Sequence, residues 1–141
     1  MCKKILSIAS IICTISCSST QEKRNKAAYI EEFKMVYFKA CLQNSFDNEA
    51  IKQLNHIDRS GMTEPILGTD VYPMIDSLAN TTAAKVYKRS DENGEIAEGA
   101  EGKHVYSECL AAYQSKWLDS IANAAYKKQN EAWKEYLMRS Q

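Results

Sequence analysis

The spacing of apolar residues along the chain predicts helices, and no stretch alternates convincingly between apolar and polar residues as a half-buried strand does. Residues 27–44 place apolar side chains at helical intervals, which predicts a first helix with one buried face. This stripe consists of Ile30, Phe33, Val36 or Tyr37, Ala40, Cys41 and Asn44. The charged residues expected largely away from it are Glu31, Glu32, Lys34 and Lys39.

A second, shorter helix is predicted over 47–59. Ser60 and Gly61 are expected to end it, because a glycine after the last periodic residue terminates helices. Its inward face is predicted to hold Ala50, Ile51, Leu54 and Ile57. Residues 62–68 include Pro65 and are expected to form a connector.

A third helix is expected to begin at Thr69 or Asp70, because either side chain can cap the exposed amide groups, and to run as far as Tyr87. Pro73 then lies in the first turn, where a missing N–H costs little. The predicted buried face is Val71, Ile75, Leu78, Ala79 and Thr82.

The segment 90–102 differs from the helical segments in composition. It carries five acidic residues, three of the five glycines and no basic residue. Because it also lacks helical periodicity, we predict an acidic loop, which can be a solvated connection or a binding element.

A fourth helix is predicted from His104 onward, with an interruption at Gln129 and Asn130. Its apolar arc is wide, which predicts a central position in the fold. The main stripe is Val105, Cys109, Tyr113 and Trp117, with Leu110, Leu118, Ile121 and Ala125 beside it. A tail of undetermined length holds Trp133, Tyr136 and Leu137.

The first sixteen residues have the pattern of a secretory signal, since Lys3 and Lys4 precede an apolar run that is too short to span a bilayer. The sequence 14–17, Thr-Ile-Ser-Cys, resembles the lipobox of bacterial lipoproteins, which implies acylation of Cys17 as the mature N-terminus. The alternative is an ordinary signal peptide cut nearby. We therefore expect a signal peptide over 1–16, a polar tether over 17–26 and a helical domain over 27–141, anchored in the periplasm to the cell membrane or the outer membrane.

Export also bears on the cysteines. With Cys2 and Cys13 removed and Cys17 acylated, Cys41 and Cys109 remain in an oxidising compartment, where thiols tend to pair. We predict a Cys41–Cys109 disulfide, the alternative being two separately buried thiols. The fold class expected from the pattern is all-α, a small bundle of four to five helices clamped by one disulfide.

Charge and chemistry narrow the function classes. The 18 basic and 18 acidic residues give no net charge, which argues against a nucleic-acid partner. The chain has two histidines, His56 and His104, and the latter stands four residues from Glu108, a pair too small for a metal site. The glycines of 94–102 lack the lysine of a phosphate-binding loop. We therefore expect no catalytic residue, metal or cofactor.

Two stretches resemble the type VI secretion amidase immunity family. Residues 106–121 contain a cysteine, a tyrosine four positions later, Ser-Lys soon after and then Leu-Asp, as in the C-terminal motif of that family. Residues 38–42 resemble its first cysteine-bearing helix, and Asp58-Arg59-Ser60 lies where a short polar turn is expected. The likeness covers residues 36–121, and the departures are the lipid tether and the extended tail.

The resemblance implies an exported, all-helical inhibitor, often dimeric, that blocks the cleft of a papain-like peptidoglycan amidase without doing chemistry itself. In the family, a protruding loop and a neighbouring helix make the contact. The corresponding effector-binding residues expected here are Asp91, Glu92, Asn93, Gly94, Glu95, Ile96 and Glu98. Competing possibilities are docking of the toxin on helices one and two, a structural or assembly lipoprotein of the envelope, and a small envelope hydrolase.

Overall fold

A computed structural model describes residues 2–58, 60, 66–92 and 104–140, with side chains over the parts of these ranges that lie in 20–86 and 104–140. Within these ranges the chain forms five α-helices and no strand, so the predicted all-α class is confirmed. The helices are α1 (Cys2–Phe46), α2 (Glu49–Ile57), α3 (Val71–Glu92), α4 (Val105–Tyr113) and α5 (Lys116–Arg139).

Helix α1 is the centre of the bundle, because it packs against each of the other four helices. Its buried stripe recurs every four residues, at Tyr29, Phe33, Tyr37 and Cys41. Tyr37 rather than Val36 is therefore the inward residue of the pair left open by the sequence. The fourth helix was predicted to be central, but that segment is split into α4 and α5, and α1 is the helix that contacts all the others.

Glu32 is a further correction, because its side chain is buried rather than directed away from the stripe. Burial raises the pKa of the Glu32 carboxyl, and the nearby charge of Lys39 opposes that rise. Its neighbour Glu31 is exposed, as expected. A carboxylate on a buried face breaks the apolar pattern, which is why the pattern did not place it inside.

The helical conformation of α1 extends through residues 17–26, for which the sequence suggested a polar tether. At about 1.5 Å per residue, the nine residues 18–26 span about 14 Å rather than the 30 Å or so of an extended chain. Side chains from Thr20 to Ala28 are exposed. This part of α1 therefore extends beyond the buried stripe that begins at Tyr29.

The turn between α1 and α2 is set by two adjacent residues. Asp47 takes a left-handed conformation with φ of 45°, which aspartate tolerates better than most residues. The Asn48 side chain then caps α2 by accepting a hydrogen bond of 2.8 Å from the Ala50 amide. Helix α2 therefore begins at Glu49 rather than at Asp47, and it ends at Ile57.

The inward face predicted for α2 was wrong. No side chain of this helix is buried, and Leu54 and Ile57 are 56% and 68% exposed. Polar contacts attach the helix instead, because Asn55 Nδ2 donates to the Lys39 carbonyl oxygen at 2.9 Å. The apolar side of α2 consequently faces away from the core.

Helix α3 follows its prediction closely. Val71, Ile75, Ala79 and Thr82 are buried, Leu78 is half-buried, and Ala83 and Val86 extend the same face. The helix continues past the predicted end at Tyr87 to Glu92. The expected loop over 90–102 was therefore placed too early, since its first three residues belong to α3.

The interruption predicted at Gln129 and Asn130 was also misplaced. The break lies at Gln114 and Ser115, and α5 runs without a gap to Arg139. Ser115 Oγ accepts a hydrogen bond of 3.1 Å from the Leu118 amide, which starts the new helix. Val105, Cys109, Leu118 and Ala122 are buried, whereas Leu110 and Trp117 are 44% and 45% exposed.

The predicted disulfide is confirmed. Cys41 and Cys109 are bonded with their Cα atoms 5.8 Å apart, and both side chains are fully buried. The bond joins residues 68 positions apart and fixes α4 to the C-terminal half of α1. Close by, Tyr37 and Thr82 share a buried hydroxyl–hydroxyl hydrogen bond of 2.7 Å that ties α3 to α1.

Candidate interaction surfaces

Helices α4 and α5 together run antiparallel to α1, which gives the bundle two distinct ends. The rings of Phe46 and Tyr106 lie 5.4 Å apart at one end, and those of Tyr29 and Tyr126 lie 5.4 Å apart towards the other. We call the region around Phe46 and the start of α4 the loop end. The region of residues 20–29 and the last turns of α5 is the tether end.

The loop end carries the base of the acidic segment. Val86 on α3 and Val105 on α4 are both buried, so the chain leaves and re-enters the bundle at fixed points. Helix α3 continues six residues beyond Val86, or about 9 Å, to Glu92. Of the expected effector-binding residues, Asp91 and Glu92 lie in this last turn. The others, Asn93, Gly94, Glu95, Ile96 and Glu98, are outside the described residues.

Several contacts make the return point at α4 rigid. Besides the disulfide, the rings of Phe38 and Tyr113 meet edge to face at 5.8 Å. Ser45 Oγ lies 3.9 Å from Cys109 Sγ and is buried. The helix that receives the acidic segment is therefore attached to α1 along its whole length.

Tyr113 links α4 to α1 through its hydroxyl, although the sequence suggested a core role alone. It donates a hydrogen bond of 2.7 Å to Glu31, and this bond is the main reason that its pKa rises to about 12. Lys34 Nζ lies 4.8 Å from the ring centre and pairs with Asp119 at 2.7 Å. A phenol with this pKa stays neutral at physiological pH. The contacts of Tyr113 therefore have a structural role, which is to attach the α4–α5 junction to α1.

The polar turn after α2 is organised around Asp58. Its carboxylate pairs with Lys39 Nζ at 2.9 Å and accepts hydrogen bonds from the Ser60 hydroxyl at 2.8 Å and the Ser60 amide at 3.2 Å. These bonds, that from Lys39 first, lower the pKa of Asp58 to about 2. The turn holds α2 against α1 and leaves Leu54 and Ile57 exposed, so the rival docking surface on α1 and α2 is available to a partner.

A cleft of about 440 Å³ opens at the tether end between α1 and α5. Gln129 forms one wall by accepting from the Gly68 amide at 2.8 Å and donating to the Ile66 carbonyl at 2.9 Å. A Cβ atom at position 68 would lie 2.7 Å from Asp70 Oδ1 and 3.1 Å from Gln129 Oε1, so a larger residue would displace these two side chains. The lining residues are Asn25, Ala28, Tyr29, Ile66, Tyr126, Gln129, Asn130 and Trp133.

Tyr29 has an unusual environment in this cleft. Its hydroxyl is buried and has no hydrogen-bond partner among the described residues. Burial first, and the charge of Asp70 second, raise the pKa of Tyr29 to about 12. The group is therefore a neutral hydroxyl rather than an acid or a base, and the Tyr29 ring packs edge to face with the ring of Tyr126.

Beyond the cleft, the last turns of α5 expose large apolar side chains that the sequence left without a role. Trp133 and Tyr136 stack with ring centres 5.7 Å apart, yet they are 59% and 62% exposed. Leu137 and Met138 are exposed beside them. The spacing of three and four residues was a readable signal that this tail is an amphipathic helix.

The chemistry available elsewhere is limited. His56 on α2 and His104 at the start of α4 are exposed and lie on separate elements. Among the described residues, no group of three or more His, Cys, Asp or Glu side chains could hold a metal ion. In the same part of the chain, no helix combines the length and apolar character needed to cross a membrane.

Comparison with family models, curated proteins and solved structures finds no match for the chain. The likeness to the amidase immunity family therefore remains a prediction from the residues in 36–121. Acylation of Cys17 and the assignment of 1–26 to a signal and a tether remain predictions as well.

Proposed function

We propose that the protein is an immunity-type inhibitor that binds and blocks a peptidoglycan amidase delivered by a type VI secretion system. The segment around 91–98 and the end of α3 occlude the active-site cleft of the amidase. The observation that carries the proposal is the segment 90–102, which has five acidic residues and no basic residue and lies between two buried valines, Val86 and Val105. The likeness of residues 36–121 to the immunity family supplies the class of partner.

The inhibitor acts by exclusion and not by chemistry. The acidic residues steer the segment towards a basic rim, since complementary charge raises the rate of encounter. Gly94 and Gly99 allow the backbone to enter a narrow groove, and Ile96 adds one apolar contact. Because α4 is clamped to α1, the segment returns to a fixed point, which limits the conformational entropy lost on binding.

The position of the segment on the molecule fits this role. The chain re-enters the bundle at the start of α4, where Tyr106 packs on Phe46. Phe46 is about 32 Å along α1 from Asn25 at the tether end. If Cys17 is acylated, the tether end faces the membrane and the acidic segment faces the periplasm. A delivered amidase would then meet the acidic segment first.

The test is a replacement of Asp91–Glu98 by a Gly-Ser linker of the same length. We expect an unchanged helical circular-dichroism spectrum, together with weaker binding to the amidase encoded by the neighbouring gene and loss of protection in cells. Binding of the unmodified protein should also weaken as salt rises, because exposed charges are screened within about 10 Å at 0.1 M. A matched control replaces Leu54 and Ile57 on α2 by serine, and this variant should bind normally.

Three results would point elsewhere. An unchanged dissociation constant after the loop replacement, with loss of binding in the α2 variant, would move the docking surface to α1 and α2. Failure of the protein to bind any neighbouring amidase, with co-purification of envelope-assembly proteins, would favour a structural lipoprotein. Cleavage of peptidoglycan by the purified protein would favour the hydrolase.

A further inference from the structure

The last turns of α5 form an apolar face that extends beyond its partners in the bundle. The last buried side chain of α5 is Ala122, and all side chains from Glu131 to Ser140 are exposed. At about 100° per residue, Tyr136 and Leu137 lie within about 60° of Trp133 around the helix. These three side chains therefore form one apolar face that continues for more than one turn into solvent.

The charged residues on this part of α5 are segregated by sign around the helix. Lys127 and Lys134 lie on one flank, and Lys128 and Arg139 on the other. Glu131 and Glu135 lie on the opposite side of the helix, where they make only long, exposed ion pairs of 3.9 Å and 3.7 Å. Aromatic residues between two basic flanks are typical of helices that lie in a membrane interface.

The neighbouring part of α1 adds to the positive charge. Residues 20–26 hold three basic residues and one acidic residue, all exposed. Together, 20–26 and 127–139 carry seven basic and three acidic residues, a net charge of +4. The remainder of 17–141 carries a net charge of −6. The molecule is thus polarised, with its positive charge concentrated at the tether end.

Measured along the axis of α1, this apolar face of α5 lies close to the level of Cys17, the predicted site of lipid attachment. Trp133 lines a cleft with Asn25, which lies eight residues, or about 12 Å, from Cys17 along α1. Helix α5 runs in the direction of Cys17 and continues six residues, or about 9 Å, beyond Trp133. Its last turn therefore ends within about one helical turn of the level of Cys17.

We propose that these side chains form a membrane-docking surface for anionic phospholipid. The surface consists of Trp133, Tyr136 and Leu137 with the basic residues of 127–139 and 20–26. The aromatic rings lie among the headgroups, and the lysines and arginines bind the phosphates. The docking surface goes beyond the inhibitor role, and it fixes the orientation in which the acidic segment faces away from the lipid.

The test uses the two tryptophans of the chain, one on the docking surface and one off it. Trp117→Phe leaves Trp133 as the only reporter. Trp133→Phe leaves Trp117, which packs edge to face on Tyr37 at the start of α5. Each full-chain variant, as isolated from cells, is floated with vesicles of phosphatidylethanolamine and phosphatidylglycerol with or without brominated acyl chains.

We expect brominated lipid to quench Trp133 by about half and to leave Trp117 nearly unchanged, because interfacial side chains lie about 5–10 Å into the lipid boundary. Replacing phosphatidylglycerol by phosphatidylcholine should reduce the quenching of Trp133. The pair Lys128→Glu with Lys134→Glu should reduce it likewise. The pair Lys52→Glu with Lys85→Glu, which changes the same charge on α2 and α3, should not.

Several outcomes would overturn the docking surface. Flotation without quenching of Trp133 would show that an acyl anchor holds the protein while this face stays in water. Equal quenching of both tryptophans would mean that the protein has no preferred orientation. Shielding of Trp133 from acrylamide in a dimer without vesicles would assign the face to a second copy of the chain. Failure to float at all would exclude both this surface and a stable acyl anchor, and none of these results bears on amidase binding.

Discussion

At the loop end, the aromatic side chains of α4 pack onto α1, whereas at the tether end Trp133 and Tyr136 in the last turns of α5 stack on each other and face outward. Tyr106 and Tyr113 each meet a phenylalanine of α1, and the disulfide lies between them. Trp133 has Tyr136 as its ring partner and is 59% exposed. Aromatic residues at helical spacing therefore do not by themselves indicate a core, because burial depends on whether a partner helix reaches that level.

The same contrast holds for polar groups. Where α3 packs on the middle of α1, Tyr37 and Thr82 satisfy each other in the core. Near the tether end, the buried hydroxyl of Tyr29 has no partner among the described residues. One region is thus optimised for stability, and the other contains features that stability alone does not explain.

The largest expected effect comes from removing the covalent clamp. Replacing Cys41 and Cys109 together by alanine should lower the free energy of unfolding by about 4 kcal/mol, the chain-entropy value for a loop of this length. Urea unfolding followed by circular dichroism measures the change. Trp133→Ala, at the other end, is the control and should stay within about 0.5 kcal/mol. Equal losses in the two variants would contradict the division into a rigid and a loosely covered end.

A pair of conservative variants compares the buried hydroxyls. Tyr37→Phe should lower the free energy of unfolding by about 1–2 kcal/mol, because the Thr82 hydroxyl loses its buried partner. Tyr29→Phe should leave stability unchanged or raise it by less than about 1 kcal/mol, because it removes an unsatisfied group.

Urea unfolding of both tyrosine variants at neutral pH gives the comparison. A clear loss of stability in Tyr29→Phe would mean that its hydroxyl has a bound water or another partner. That result would mean that buried hydroxyls are hydrogen-bonded at the tether end as they are in the rest of the core.

The smallest expected effect concerns the polar turn that attaches α2. Because the folded state lowers the pKa of Asp58 to about 2, below the value of about 3.9 in an unfolded chain, the contact contributes stability at neutral pH. That contribution is complete above about pH 4 and is lost as the pH falls towards 2. Asp58→Asn should therefore be less stable than the unmodified protein at pH 7, and the two should converge near pH 2.

Urea midpoints measured from pH 7 to pH 2 test this dependence. Lys39→Met should remove most of the same acid dependence, because it removes the main cause of the lowered pKa. A difference between Asp58→Asn and the unmodified protein that stays constant with pH would assign its effect to packing instead of charge.

The sequence predicted correctly those elements whose buried face or bonding partner can be identified from the residues alone. Helix α3 has a regular apolar face from Val71 to Val86, and its burial followed directly. The pairing of Cys41 with Cys109 followed from counting the cysteines that the predicted signal peptide and lipid attachment leave free. In both cases a local rule and the tertiary structure agree.

Other elements depend on information that a periodic pattern does not contain. Helix α2 is strongly amphipathic, but its apolar side faces away because the bonds from Asn55 and Asp58 to Lys39 set its rotation. The stripe through Cys109, Tyr113 and Trp117 continues in register across the break at Ser115, so periodicity did not reveal two helices. The Ser115 cap is the local sequence signal that marks this break.

Of the two candidate surfaces, one could be recognised from the sequence and the other could not. The acidic segment is visible from composition alone, because its five acids stand without a base. The docking surface at the tether end was not found, since it joins 20–26 to 127–139 across the whole length of the chain. Their proximity depends on the antiparallel packing of α5 on α1, which is a property of the fold.

The break at Gln114 and Ser115 also determines how the bundle can open. The disulfide holds α4 on α1. Helix α5 starts its own ladder of backbone hydrogen bonds at the Ser115 cap, so the end of α5 can open while α4 stays folded. Amide hydrogens of α4 are thus expected to exchange with solvent only through global unfolding. Those beyond Gln129 can exchange through fraying of the last turns of α5. The protein therefore contains separate units of cooperativity, and the end of α5 can adjust to whatever it contacts while the clamped end stays folded.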